Sequence, residues 1–323
     1  MTLFESLKLF PKVDLHIDFL GSISKDTIYE LTKNLNTRDS VDDILDFDSL
    51  IDYDNSRDLV ISLLNTYDNI SLALKRLISE LKENNFLYGE LFVNLEKFYK
   101  ELDKEVIIRK MLEIIREENI NLNLVIEIDS IMNKEDLYNN LNILYKYYGK
   151  GINSVYFKKN KLDNLDSFKA LFDKFIKDEV PYIISLDTKI NSQDKDIYFS
   201  ASRIIYNVME KPDSTFIDSI REHNVMLEFP ITYQSYFNIY DDLSNHFVYD
   251  LFKENILMCF TTIDRTPLDT DMLNEYCKLF NVFPFNLHDL VNLNLSILNS
   301  INVSIDVRNN LIDYLREKAN ELL

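Results

Sequence analysis

Residues 11–22 read Pro11-Lys12-Val13-Asp14-Leu15-His16-Ile17-Asp18-Phe19-Leu20-Gly21-Ser22. The run Val13 to Asp18 has the character of a strand, and Ser24 stands where an N-cap is needed before an amphipathic helix through Thr27, Ile28, Leu31 and Leu35. Outward from this unit the alternation repeats. Strand-like runs are expected at Phe86 to Val93, Leu122 to Ile128, Ile152 to Phe157, Tyr182 to Leu186, Arg203 to Val208, Val225 to Phe229 and Ile256 to Thr262. Helical periodicity fills most of the gaps, as at Lys104 to Glu118, Lys134 to Tyr148, Asp166 to Asp178 and Ser214 to His223. Eight strands alternating with helices predict an α/β fold, a (β/α)8 TIM barrel.

Three departures from a minimal barrel are expected. The stretch from about Ser40 to Asn85 is too long for a simple crossover and reads as a helical insertion after the first strand. The connection Thr188 to Ser202 is short for a full helix, and Leu-rich helices around Asp269 to Phe280, Asn286 to Ser300 and Ser304 to Leu322 follow the last strand. They would close the barrel floor or pack on its flank. No repeat, low-complexity tract or Pro/Gly linker divides the chain, so residues 1–323 are expected to form a single domain.

Composition narrows the function. The net charge of −19 opposes a phosphate backbone, and no Lys/Arg stripe offsets it, so nucleic acid is not an expected partner. No apolar run approaches the roughly 20 residues of a membrane helix and no signal segment is visible, which predicts a cytoplasmic protein without membrane contact. Only four glycines occur, Gly21, Gly89, Gly149 and Gly151, which argues against a Gly-rich phosphate cradle. Cys259 and Cys277 lack CxxC spacing and are expected to be buried thiols.

The opening stretch resembles the PKxELHxHLxG motif of the adenosine deaminase family over almost its whole length, and Asp26-Thr27-Ile28-Tyr29-Glu30-Leu31 extends the likeness. Tyr88-Gly89-Glu90-Leu91-Phe92 looks like the family's YxExR strand with Phe92 in place of arginine. Leu227-Glu228-Phe229-Pro230 is similar to its ExCP segment, and Thr262-Ile263-Asp264 with the later Glu275-Tyr276 to TDDP and EY. In that family zinc is held by both histidines of HxH, a fifth-strand histidine and the first Asp of the eighth-strand pair. Two alternate residues of one strand project the same way and can grip one ion.

Carried over residue by residue, the resemblance implies a depleted centre. His16 keeps the first ligand position, but Asp18, Ser185 and Ile263 fill the others. The family's general acid aligns with Thr188, with Asp187 beside it, and its strand-six histidine falls at Tyr206. Asp264 alone keeps its carboxylate. The substrate-binding glycine falls among Tyr156 to Asn160, where lysines would take the purine's place. The candidate set is therefore His16 and Asp18 as a remnant metal site, Asp264 and Asp187 as catalytic candidates, and Lys158, Arg203 and Glu90 as binding candidates. These strand-end charges form either a new binding site or pairs that neutralise one another.

Three functions follow as expectations. The first is a deaminase-like protein with a degraded zinc site and no bound cofactor, lacking deaminase activity and acting as a ligand-binding or regulatory protein for a purine-like small molecule. The second is a divergent hydrolase in which His16, Asp18, Asp187 and Asp264 hold zinc or another divalent metal in a new arrangement. The third is a structural interaction protein whose insertion carries the contact surface.

Overall fold

The computed structural model describes residues 2–33, 50–160, 164–240 and 242–323. Eight parallel strands run β1 (Lys12–Asp18), β2 (Phe86–Val93), β3 (Leu122–Asp129), β4 (Ile152–Lys158), β5 (Tyr182–Leu186), β6 (Arg203–Tyr206), β7 (Met226–Phe229) and β8 (Met258–Phe260), each paired with its neighbours in sequence order. The seam between the last and first strands is thin. Among the described residues its backbone pairing is one bridge, Ile17 to Ile263, in which Ile263 N–H donates to the His16 carbonyl and Asp18 N–H to that of Ile263, and beside it the Thr262 hydroxyl donates to Asp14 Oδ2 at 2.6 Å. The fold is a (β/α)8 barrel.

The strand runs expected from sequence all appear, with the last three shorter. β8 ends at Phe260 rather than Thr262 because the chain turns at Ile263, whose φ of 55° is left-handed, a costly conformation for a β-branched residue. The helices around the barrel include α1 (Leu3–Leu9), α2 (Lys25–Thr32), α3 (Leu50–Leu63), α4 (Tyr67–Glu83), α5 (Lys104–Glu117), α6 (Lys134–Tyr147), α7 (Lys169–Lys177), α8 (Lys195–Phe199), α9 (Ser214–Glu222), α10 (Ile231–Tyr236) and α11 (Val248–Lys253). The helix expected from Asp166 opens as a 3-10 turn over Leu165–Phe168, and the short connection before β6 holds only the five residues of α8. Of the expected insertion, the part before residue 50 lies outside the described residues. Its second half, α4, packs against β2 and α5 and is the crossover helix of the ring.

Scarcity of glycine has a local explanation. Helices end one or a few residues before the next strand on a left-handed residue that is asparagine at positions 85, 119, 224 and 255, with φ between 49° and 56°. Asparagine is the non-glycine residue that tolerates this cap best. N-caps are equally explicit: Asp103, Asn133 and Asp213 accept from the first free N–H groups of α5, α6 and α9.

The final helices α12 (Met272–Val282), α13 (Leu287–Ser300) and α14 (Ile305–Leu322) close the N-terminal end. Helix α13 packs on β8 and α14 on β2, and Asn302 between them donates to the Asn153 carbonyl of β4. Most buried apolar side chains lie between strands and helices. A second cluster of Phe92, Val125, Tyr156, Ile183 and Ile205 fills the barrel itself. Cys259 is buried, whereas Cys277 is half-buried, because its position on α12 leaves one edge at the surface. Among the described residues no helix is long and apolar enough to cross a membrane.

His246 is a packing residue with a pH signature. It stacks on Tyr240 at 4.1 Å, Val248 N–H donates to its Nδ1, and its Nε2–H therefore donates to Gln234 Oε1 at 3.1 Å. Burial pushes it down to about 3, so the unfolded chain binds the proton first. Its contribution is present above pH 6.5 and lost as pH falls toward 3. Urea unfolding at pH 7 and pH 5 should differ by roughly 2 kcal/mol through this residue, and His246→Phe should remove that part of the pH dependence.

Candidate functional site

At the C-terminal ends of the strands, where a barrel presents its working residues, the first and last strands bring Asp18 and Asp264 together. Both are buried. Gly21 N–H donates to Asp18 Oδ1 at 2.7 Å and fixes that carboxylate. Gly21 also has to be glycine for packing reasons, because a Cβ there would strike the Asp264 carboxylate.

Between the two carboxylates stands a cation from the inserted helix α3. Arg57 donates through Nη1 to Asp264 Oδ1 at 2.7 Å and through Nη2 to Asp18 Oδ2 at 3.2 Å and Oδ1 at 3.3 Å. One fork thus spans two acids, a use for which guanidinium geometry is suited. Burial would raise Asp18, but Arg57, the Gly21 amide and the more distant Lys158 and His16 outweigh it and hold Asp18 below the usual carboxylate range. Burial and the Asp18 charge push the other way on Asp264. Asp18 is therefore the first of the two to ionise.

Below this clamp runs a chain of buried charges. His16 donates from Nδ1 to Glu228 Oε1 at 2.6 Å, and Thr261 donates to the same oxygen at 3.0 Å. Arg203 Nε lies 2.9 Å from Glu228 Oε2, and its Nη2 donates to Glu90 Oε2 and to the Leu15 carbonyl, both at 2.8 Å. Asn153 donates to the other Glu90 oxygen at 2.9 Å. Burial alone would raise Glu228, but His16 and Arg203 outweigh it and hold it below its ordinary range. The His16 ring lies flat on Phe92, with centroids 3.6 Å apart, and Tyr156 meets both rings edge-on.

The structure thus gathers Asp18 and Asp264 at one point and His16 beneath them. Glu90 and Arg203 lie deeper, committed to each other. Asp187 stands apart at the end of β5, accepting from Asn207 at 3.1 Å and Ser185 at 3.4 Å. Lys158 is half-exposed at the rim, 3.6 Å from Glu127. The alternation of β4 turns Tyr156 into the barrel and leaves Lys158 at the strand end. Sequence reading missed Arg57 and the role of Glu228. Arg57 is the only basic residue between Asp39 and Leu74, and Glu228 is a lone charge in the strand Met226-Leu227-Glu228-Phe229. Both were available as signals.

No family model matches the chain. The adenosine deaminase of Clostridium botulinum strain Loch Maree is 23% identical over 300 residues, covering 85% of this chain and 89% of the relative. The chain thus resembles adenosine deaminases over most of its length. Among solved structures, the N6-methyl-AMP deaminase of Arabidopsis thaliana superposes with a TM-score of 0.86 at 15% identity, covering 98% of this chain and 99% of that one. An amidohydrolase of Burkholderia ambifaria with bound zinc superposes with a TM-score of 0.82 at 13% identity, covering 100% and 94%.

The motif positions offer such an ion fewer donors than the family pattern. Among the described residues no three His, Cys, Asp or Glu side chains converge as ligands. Of the four positions that the family motif points to, Ile263 has no donor atom and Ser185 is a poor one. The two carboxylates that remain are joined by Arg57. Gly21→Ala tests this packing: the methyl group has to displace Asp264, and equilibrium unfolding should show a loss of about 1–3 kcal/mol.

Proposed function

We infer that this member of the deaminase family does not carry out metal-dependent deamination and acts as a binding or regulatory protein for a small molecule, purine-like by kinship. The observation that carries the reading is the Arg57 guanidinium bonded to both Asp18 and Asp264. A divalent ion at that point would have to displace a positive group already satisfied by two buried acids. The proton-transfer positions support the same reading. Thr188, at the acid position, has no titratable group, and the Tyr206 hydroxyl at the base position donates to the Glu210 carbonyl. Asp187 is bonded to Asn207 and Ser185 rather than joined to Asp264.

One observation favours the other reading, a rewired metal site. The Nδ1 of His16 is held by a carboxylate, the arrangement that orients a metal-ligating histidine through its other nitrogen. Metal content separates the two. Protein purified without chelators, then exposed to zinc or manganese and dialysed, should retain far less than one ion per chain and should not deaminate adenosine, AMP or N6-methyl-AMP above the buffer rate. About one ion per chain, together with turnover, would establish the divergent hydrolase instead.

A further inference from the structure

We propose that the mouth of the barrel is a binding site for a planar organic cation, a guanidinium or amidinium group, and that Arg57 is its resident occupant. The proposal rests on the metal-free reading above and adds to it the class of group that the site selects. Its basis is the geometry of the two acids. Asp264 is bonded by one terminal nitrogen of Arg57 and Asp18 by the other, so the carboxylates are spaced to match the two prongs of a guanidinium.

The site is built rather than incidental. Both carboxylates are buried, Asp18 is pinned by the Gly21 amide, and Gly21 leaves room for the Asp264 carboxylate. The two acids come from the end of β1 and the turn after β8, so a cation between them also spans the seam, which among the described residues carries one isolated bridge. Without Arg57, the two buried acids would lose the cation that spans them. A phosphate or a carboxylate does not replace it. A molecule ending in a guanidino or amidino group does, by presenting the group that Arg57 presents.

The test is replacement of the tethered group by a free one. Arg57→Ala, with Arg57→Gln as a second variant should the first fold poorly, is titrated with methylguanidinium and followed by thermal unfolding and calorimetry. Tetramethylammonium serves as a cation of equal charge without N–H donors. The expected result is a lowered melting midpoint in the variant and a saturable recovery by methylguanidinium, with a dissociation constant on the order of 1 mM. Wild type should show no such recovery, and Arg57→Ala/Asp264→Asn should lose it. A variant that folds only with methylguanidinium present supports the proposal equally.

A folded variant that responds no more to methylguanidinium than to tetramethylammonium overturns it, as does a variant that takes up zinc or manganese and ignores methylguanidinium. Metal in the wild-type protein would instead defeat the earlier reading. A metal-free wild type with an unresponsive Arg57→Ala variant defeats this proposal alone.

Discussion

The contact on which the upper half of this barrel depends is the guanidinium of Arg57 between Asp18 and Asp264. Backbone bonding is continuous from β1 to β8, but among the described residues the backbone return from β8 to β1 is one bridge at Ile263, a residue held in a left-handed conformation, helped by the Thr262 bond to Asp14. Side chains have to finish the closure. A cation there draws the end of the first strand and the turn after the last one together, and it ties helix α3 to both. In a zinc-bound barrel an ion at the strand ends can provide the same cross-link; here the chain provides it from its own inserted segment.

Beneath the clamp, the barrel interior is an unusual compromise. Phe92, Val125, Tyr156, Ile183 and Ile205 form an apolar layer, yet Glu90, Arg203, Glu228 and His16 run through the same volume. Buried ion pairs return little net stability, because desolvation offsets most of their attraction, whereas removing one member leaves an uncompensated charge. The chain Glu90, Arg203, Glu228 and His16 is therefore best understood as a set that persists together. Phe92, where the family motif has arginine, stacks on His16, while the guanidinium that meets Glu90 comes from β6.

Most of the architecture was readable in the sequence because parallel strands buried on both faces appear as short apolar runs. Strand ends in the second half were less readable, since the chain leaves the ladder wherever a turn demands it, as at Ile263. At the site, motif order identified His16, Asp18 and Asp264, which the fold unites. It did not separate Asp187 and Lys158 from them, because a motif position gives no direction for a side chain beyond the strand's end. Arg57 stands out in the sequence as a lone basic residue, but its role was not legible. Its partners lie 39 and 207 residues away in sequence, and no local pattern reports a contact made only by folding.

The central claim is that a side-chain cation occupies the position between Asp18 and Asp264. It is tested most directly by crystals of the wild-type protein grown with zinc, measured for anomalous scattering at the zinc edge. The account predicts guanidinium density bridging the two carboxylates and no anomalous peak between them. An anomalous peak bounded by His16, Asp18 and Asp264, with Arg57 turned away, would contradict it.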